Sequence, residues 1–110
     1  MASLIIYCWR DIPAQVVVKE GRKTIARVLL THRFQEAVDR AAMRAGKGSS
    51  DAYMADWKLE NLRPVSGDFD AEARAEADRI EARYSDEYLE RLIRAHGLEA
   101  RLAAPGTEPR

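Results

Sequence analysis

Leu4-Ile5-Ile6-Tyr7-Cys8-Trp9-Arg10-Asp11-Ile12-Pro13-Ala14-Gln15-Val16-Val17-Val18-Lys19 is the stretch that decides the fold class. Leu4 to Trp9 is apolar at almost every position, which suits a strand covered on both faces and central in its sheet. An arginine, an aspartate and a proline then separate this run from the next. Charges beside a core must find partners or reach water. Pro13 cannot donate a ladder hydrogen bond, so Arg10 to Ala14 is expected to be a connection. Gln15 to Lys19 and Thr24 to Leu30 are the next β-rich runs, and Gly21 between them supplies the positive φ of a tight hairpin. Val16 and Val18 take one side of that hairpin, with Gln15, Val17 and Lys19 on the other.

Downstream the period changes to that of helices. Thr31 is placed to cap a helix with its hydroxyl, Phe34, Val38, Ala41, Ala42 and Ala45 recur on one face, and Gly46 ends the run. Lys47-Gly48-Ser49-Ser50 reads as a loop, with Ser50 capping a short helix that reaches Asp56. Trp57 to Leu62 reads as a short fourth strand or as continued helix, with the strand favoured. Pro64 to Asp68 is expected to connect. From Asp70, the residues Ala73, Ala77, Ile80 and Tyr84 mark one helical face. Ser85 then caps a helix whose inner stripe is Leu89, Leu92, Ile93 and His96, and Gly97 takes the left-handed position after it, letting Leu98 touch Ile93.

A chain of 110 residues fits one domain with one modest core. The expected division is a single α+β domain over residues 1–102 and a flexible tail over 103–110. Hydrophobic residues at 46% and charged residues at 33% are ordinary for a globular protein, which argues against global disorder. No apolar run approaches the roughly 20 residues of a membrane span, and the first residues lack a basic, cleavable leader, so the protein reads as cytoplasmic with no membrane partner. The lone Cys8 leaves no internal disulfide and no Cys-pair zinc site. Net charge is zero, but residues 1–50 carry nine basic and four acidic residues against nine and fourteen in the remainder. Such asymmetry either steers a partner or reflects acidic helices covering a basic sheet.

No catalytic constellation stands out. Cys8 lies in the most apolar strand, where burial disfavours a thiolate, and reads as a core residue. His32 and His96 open and close helices, with no second ligand at helical spacing, so no metal site is expected. Acidic residues from Asp68 onward are expected on solvated helix faces, which do not separate the pKa values of an acid–base pair. Glycines form no phosphate cradle, and Gly46 to Ser50 reads as a linker. Lys19, Arg22, Lys23, Arg27 and Arg33 with Tyr7 and Trp9 would suit single-stranded nucleic acid, but neutral overall charge weakens that attraction. Arg10, Asp11 and Gln15 remain. They either orient the crossover or form a polar patch, joined by Trp57 or Arg63, that docks a partner or a small anion.

Trp9 to Val16, Arg33-Phe34-Gln35-Glu36-Ala37, Asp39 to Gly46, and the later Asp51-Ala52-Tyr53 with Trp57 resemble the small bacterial "virulence factor" domain family over roughly residues 4 to 90. The resemblance implies a short stand-alone protein. A similar domain occurs in conserved virulence factor C proteins, alongside helical repeats and an iron–sulfur-scaffold-like domain. The stand-alone form is associated with genes of folate-linked methyl transfer. No catalytic residue or cofactor is carried over. The expected fold is an antiparallel or mixed sheet of three to four strands with helices mainly on one face. The expected activity is that of a non-catalytic accessory or protein-interaction module, meeting another protein or a second copy of itself. Its candidate binding residues are Trp9, Arg10, Asp11, Gln15, Arg33 and Arg44. The alternative is a small ligand-binding or accessory subunit of folate-linked one-carbon methyl transfer in which Arg10 and neighbouring arginines hold an anionic ligand.

Overall fold

The computed structural model describes residues 2–102. The expected tail, 103–110, lies outside the described residues. In chain order the elements are β1 (Ala2–Trp9), β2 (Ile12–Glu20), β3 (Lys23–Leu29), α1 (His32–Arg44), α2 (Ser50–Ala55), β4 (Trp57–Val65), α3 (Phe69–Arg83), α4 (Asp86–Arg94) and a short 3-10 turn at Glu99–Arg101. The sheet runs β3-β2-β1-β4 with every neighbouring pair antiparallel, so β1 is central as its apolar run requires. Residues 57–62 are strand, not helix, and the strand continues to Val65, shortening the expected connector to Ser66-Gly67-Asp68.

The pleat sorts the side chains. Leu4, Ile6, Cys8, Val16, Val18 and Ala26 point to one face, where Phe34, Val38 and Ala41 of α1, Ala73, Ala77 and Ile80 of α3, and Leu89 and Leu92 of α4 complete the core. Small alanines on α1 and α3 let both helices lie close to the sheet. Ser3, Ile5 and Tyr7 of β1 and Gln15, Val17 and Lys19 of β2 take the opposite face. Coverage on both faces therefore comes about differently than expected. Ile5 and Val17, opposite each other in register, are buried outside the core cluster among flanking side chains, one of which carries its ammonium over Tyr7 (Lys19 Nζ to ring centroid 5.8 Å).

The five-residue connection expected at Arg10–Ala14 is a two-residue turn, because Trp9 already pairs with Ile12. Pro13 sits inside β2 beside a bulge that inserts Ala14 between the pairs Tyr7–Gln15 and Cys8–Pro13. The register of β3 ends at Leu29 opposite Gln15, so no β3 residue faces Pro13. A bulge at a strand end is where a sheet tolerates a missing N–H.

Helix ends supply further corrections. The Thr31 hydroxyl does not cap α1 but donates to Glu81 Oε1 at 2.9 Å. The cap of α2 is Ser49, one residue before the expected Ser50, while Asp68 and Ser85 cap α3 and α4. After α4, the Gly97 N–H donates to the Leu92 carbonyl and the His96 N–H to that of Ile93, which is a Schellman ending. Its left-handed position is held by His96 (φ 61°), so His96 lies beyond the helix rather than on its inner stripe. Gly97 is also left-handed (φ 80°), as expected of it, and the site has no room for a side chain: a Cβ there would sit 3.1 Å from Trp9 Cζ3.

Candidate functional site

The Trp9-Arg10-Asp11 turn is the junction at which most elements of the fold meet. Trp9 is 0% exposed; its indole N–H donates to the Tyr53 carbonyl (2.8 Å) and its ring stacks on that of Tyr53. Tyr53 in turn meets Trp57 edge to face at 5.9 Å between centroids. The Arg10 backbone N–H donates to the Asp56 carbonyl, Nε donates to Asp56 Oδ2 (3.3 Å), and Nη1 donates to the His96 carbonyl (2.8 Å). The guanidinium also lies 5.0 Å from the Trp9 ring centroid. Arg10 holds φ at 53°, a left-handed conformation that costs a non-glycine residue about 1–2 kcal/mol. These contacts hold it there.

Asp11 completes the junction. Its N–H donates to the Gly97 carbonyl (2.8 Å), Oδ1 accepts from Lys58 Nζ (3.0 Å) and Oδ2 accepts from the Glu99 N–H (2.8 Å). One short turn thus ties β4, α2, the end of α4 and the 3-10 turn to the central hairpin. An anion held by Arg10 would first have to displace Asp56 and the His96 carbonyl.

The other candidates lie apart. Arg33 opens α1 and clamps it to α3 and α4, donating to the Glu81 carboxylate and carbonyl and to Asp86 Oδ1. Burial alone would push the Glu81 carboxyl up, but hydrogen bonds from Thr31 and Arg33 outweigh it and hold the carboxyl below its usual range. Gln15 is half-buried on the face opposite α1, α3 and α4, and its side-chain oxygen, closed off from water, accepts no hydrogen bond among the described residues. Arg44 is exposed in the last turn of α1, roughly 16 Å along the helix axis from Arg33. Of the two residues expected to join the patch, Trp57 does so through Tyr53. Arg63 turns instead to α3, donating to Glu72 and Glu76 at 3.0 Å each.

Glu76 was missed as a buried group. It is only 5% exposed, contrary to the solvated position expected of it, and receives Arg63 and Arg79, with Arg83 3.7 Å away. Burial raises its pKa, but the hydrogen bonds from Arg79 and Arg63 prevail and the net direction is down. A signal was available: Glu76 falls three residues after Ala73 and four before Ile80, on the stripe those residues define.

A cavity of about 140 Å³ opens between the β1–β4 half of the sheet and α3, with Ile6, Cys8, Ile80 and Tyr84 among its walls and Asp11, Glu60 and Glu99 along its lining. Burial, reinforced by Glu60, pushes the Cys8 thiol up to about 12, so it stays protonated and a poor nucleophile at neutral pH. Among the described residues no three His, Cys, Asp or Glu side chains converge as a metal site, and no helix is long and apolar enough to cross a membrane.

Sheet order, one-sided helices and a turn fastened by Trp9, Arg10 and Asp11 define a two-layer α+β protein. Comparison with known families gives this class a name: the model of the family described as "Virulence factor" matches residues 7–93, and the chain belongs to that family. Searches of curated proteins and of solved structures found no match.

Proposed function

We propose that this chain is a non-catalytic interaction module, an accessory protein that meets a partner by accepting one of its strands along the free edge of β4. The observation that carries this reading is β4 itself. It has nine residues, is paired among the described residues on its β1 side only, and exposes every side chain from Lys58 to Leu62. Leu59 (53% exposed) and Leu62 (39%) are among the large apolar side chains left in water. Unpaired strand edges are normally shortened, charged or covered, because their free N–H and C=O groups recruit further strands. The other edge strand, β3, is two residues shorter; both edges carry charges, Lys23 and Arg27 on β3 and Lys58, Glu60 and Arg63 on β4, and β3 ends in the exposed Leu29. In this reading Trp9, Arg10 and Asp11 act by position, holding β4 through Lys58 and its approach through Tyr53 and Asp56. Gln15, Arg33 and Arg44 offer further contacts on the face opposite α1, α3 and α4 and along α1.

The test uses tagged parent protein and a Leu59→Lys/Leu62→Lys variant as baits in extract. Both side chains are exposed, so melting temperature should change by only a few degrees. The reading expects proteins captured and cross-linked to β4 by the parent to be lost from the variant. Identical capture by both baits, or none by the parent in extract or in sedimentation as a dimer, refutes it.

A further inference from the structure

The cavity behind β4 gives that edge a chemical preference. Glu60 and Leu62, both exposed on β4, form part of its wall, and Ile6, Cys8, Ile80 and Tyr84 supply apolar patches within a largely polar lining. Carboxylates gather at the end nearest the Trp9-Arg10-Asp11 turn. Among the described residues, Asp11 is matched by Lys58, the Glu99 carboxylate accepts from the Tyr88 hydroxyl alone (2.9 Å), and Glu60 has no hydrogen bond or ion pair, with Lys58 as its nearby cation. Arg83, the one cation on the lining, lies 3.7 Å from Glu76. Burial is the main cause of the raised pKa values of the Cys8 thiol and the Tyr84 hydroxyl; Glu60 adds to it at Cys8 and Glu99 at Tyr84, against smaller opposing effects of Lys58 and Arg83. At about 140 Å³ the cavity is close to the roughly 150 Å³ that accommodates a benzene-sized guest.

A cavity with apolar patches for a short stem and carboxylates in excess on its lining fits an aliphatic chain carrying a compact cation. A strand laid on β4 sends every second side chain toward the helix side of the sheet, where Glu60 stands on β4. We propose that the cavity receives a lysine side chain of the strand that pairs with β4, its ammonium resting between Glu60 and Glu99. The proposal rests on the edge reading above and names the partner's chemistry: an extended segment with lysine at one helix-side position.

Two probes test it. The first is n-butylammonium, a lysine side chain without a backbone, titrated into the parent protein by amide NMR against n-butanol. Saturable shifts at Cys8, Glu60 and Tyr84 are expected for the amine only, with affinity at least tenfold weaker in Glu60→Gln, whose exposed site leaves folding intact. The second is an alternating valine–threonine hexapeptide with central lysine, compared with its norleucine counterpart. The lysine form should bind at least tenfold more tightly, and Glu60→Gln should erase the difference. Equal binding of lysine and norleucine peptides overturns the cavity inference and leaves the edge reading standing. Saturable butylammonium binding with no binding of either peptide overturns the assignment to a partner strand. No saturable shift with the amine overturns the inference outright.

Discussion

Replacing Gly97 with alanine tests the packing of the junction most directly, because the two costs it incurs can be separated. Gly97 has φ 80°, and the added methyl carbon would lie 3.1 Å from Trp9 Cζ3 and 3.3 Å from Trp9 Cε3. The backbone cost of an L-residue in the left-handed region is about 1–2 kcal/mol. The steric cost depends on whether the indole can yield. Trp9 is wholly buried, its N–H is bonded to Tyr53, and Tyr53 and Arg10 stack against its ring. Forcing an extra carbon against so fixed a ring should add about 1–3 kcal/mol, as in overpacked cores. Gly21 provides the control: its φ is 63°, and nothing lies within 4 Å of a Cβ built there. Gly21→Ala therefore carries the backbone cost alone. With about 4–8 °C of melting temperature per kcal/mol in a domain near this size, Gly97→Ala should melt at least about 5 °C below Gly21→Ala. Thermal unfolding followed by circular dichroism and tryptophan fluorescence reads both. Equal losses in the two variants would show that Trp9 is not pinned against Gly97, and the account of the junction would be wrong.

Three further outcomes are expected. His96→Gly relieves a left-handed histidine whose ring contact, Nδ1 to Arg101 at 3.1 Å, is exposed, and should raise stability by about 1 kcal/mol in chemical denaturation; destabilisation would assign His96 a role beyond the helix ending. The Glu76 carboxyl titrates lower folded than unfolded, so its contribution is present above the unfolded value near 4.5 and is lost as pH falls through the folded value. Glu76→Gln should therefore be clearly less stable than the parent at pH 7, with the gap closing below about pH 4; a pH-independent gap contradicts the ion cluster. Cys8, buried and with its pKa pushed up to about 12, should resist a disulfide reagent at pH 8 until the protein unfolds, and fast labelling of the native state would show that the cavity floor opens.

The elements were largely legible because their determinants are local. Continuous hydrophobicity marked β1, Gly21 marked the β2–β3 turn, the alanine-rich stripes marked α1 and α3, and Ser85 with Leu89, Leu92 and Ile93 marked α4. Errors came where a residue's choice depended on a partner far along the chain. The Thr31 hydroxyl prefers Glu81 to its own helix, and the helix ends one residue early, so that His96 as well as Gly97 is left-handed, with Gly97 packed against Trp9. Pro13 stays in a strand because β3 stops short of it.

The candidate site divides along the same line. The amino-acid sequence by itself determined that Trp9, Arg10 and Asp11 stand between two strands and must satisfy their polar groups, since charge beside a core carries that cost in any fold. Only tertiary structure decided how: Arg10 reaches Asp56 and His96, Asp11 reaches Lys58 and Glu99, and Glu76 is enclosed by arginines from β4 and from its own helix. Periodicity is a property of neighbours in the chain and can be read from it. Which strands end up at the edges of the sheet, and which carboxylate has no ion pair among the described residues, depends on where separate elements come to rest against one another.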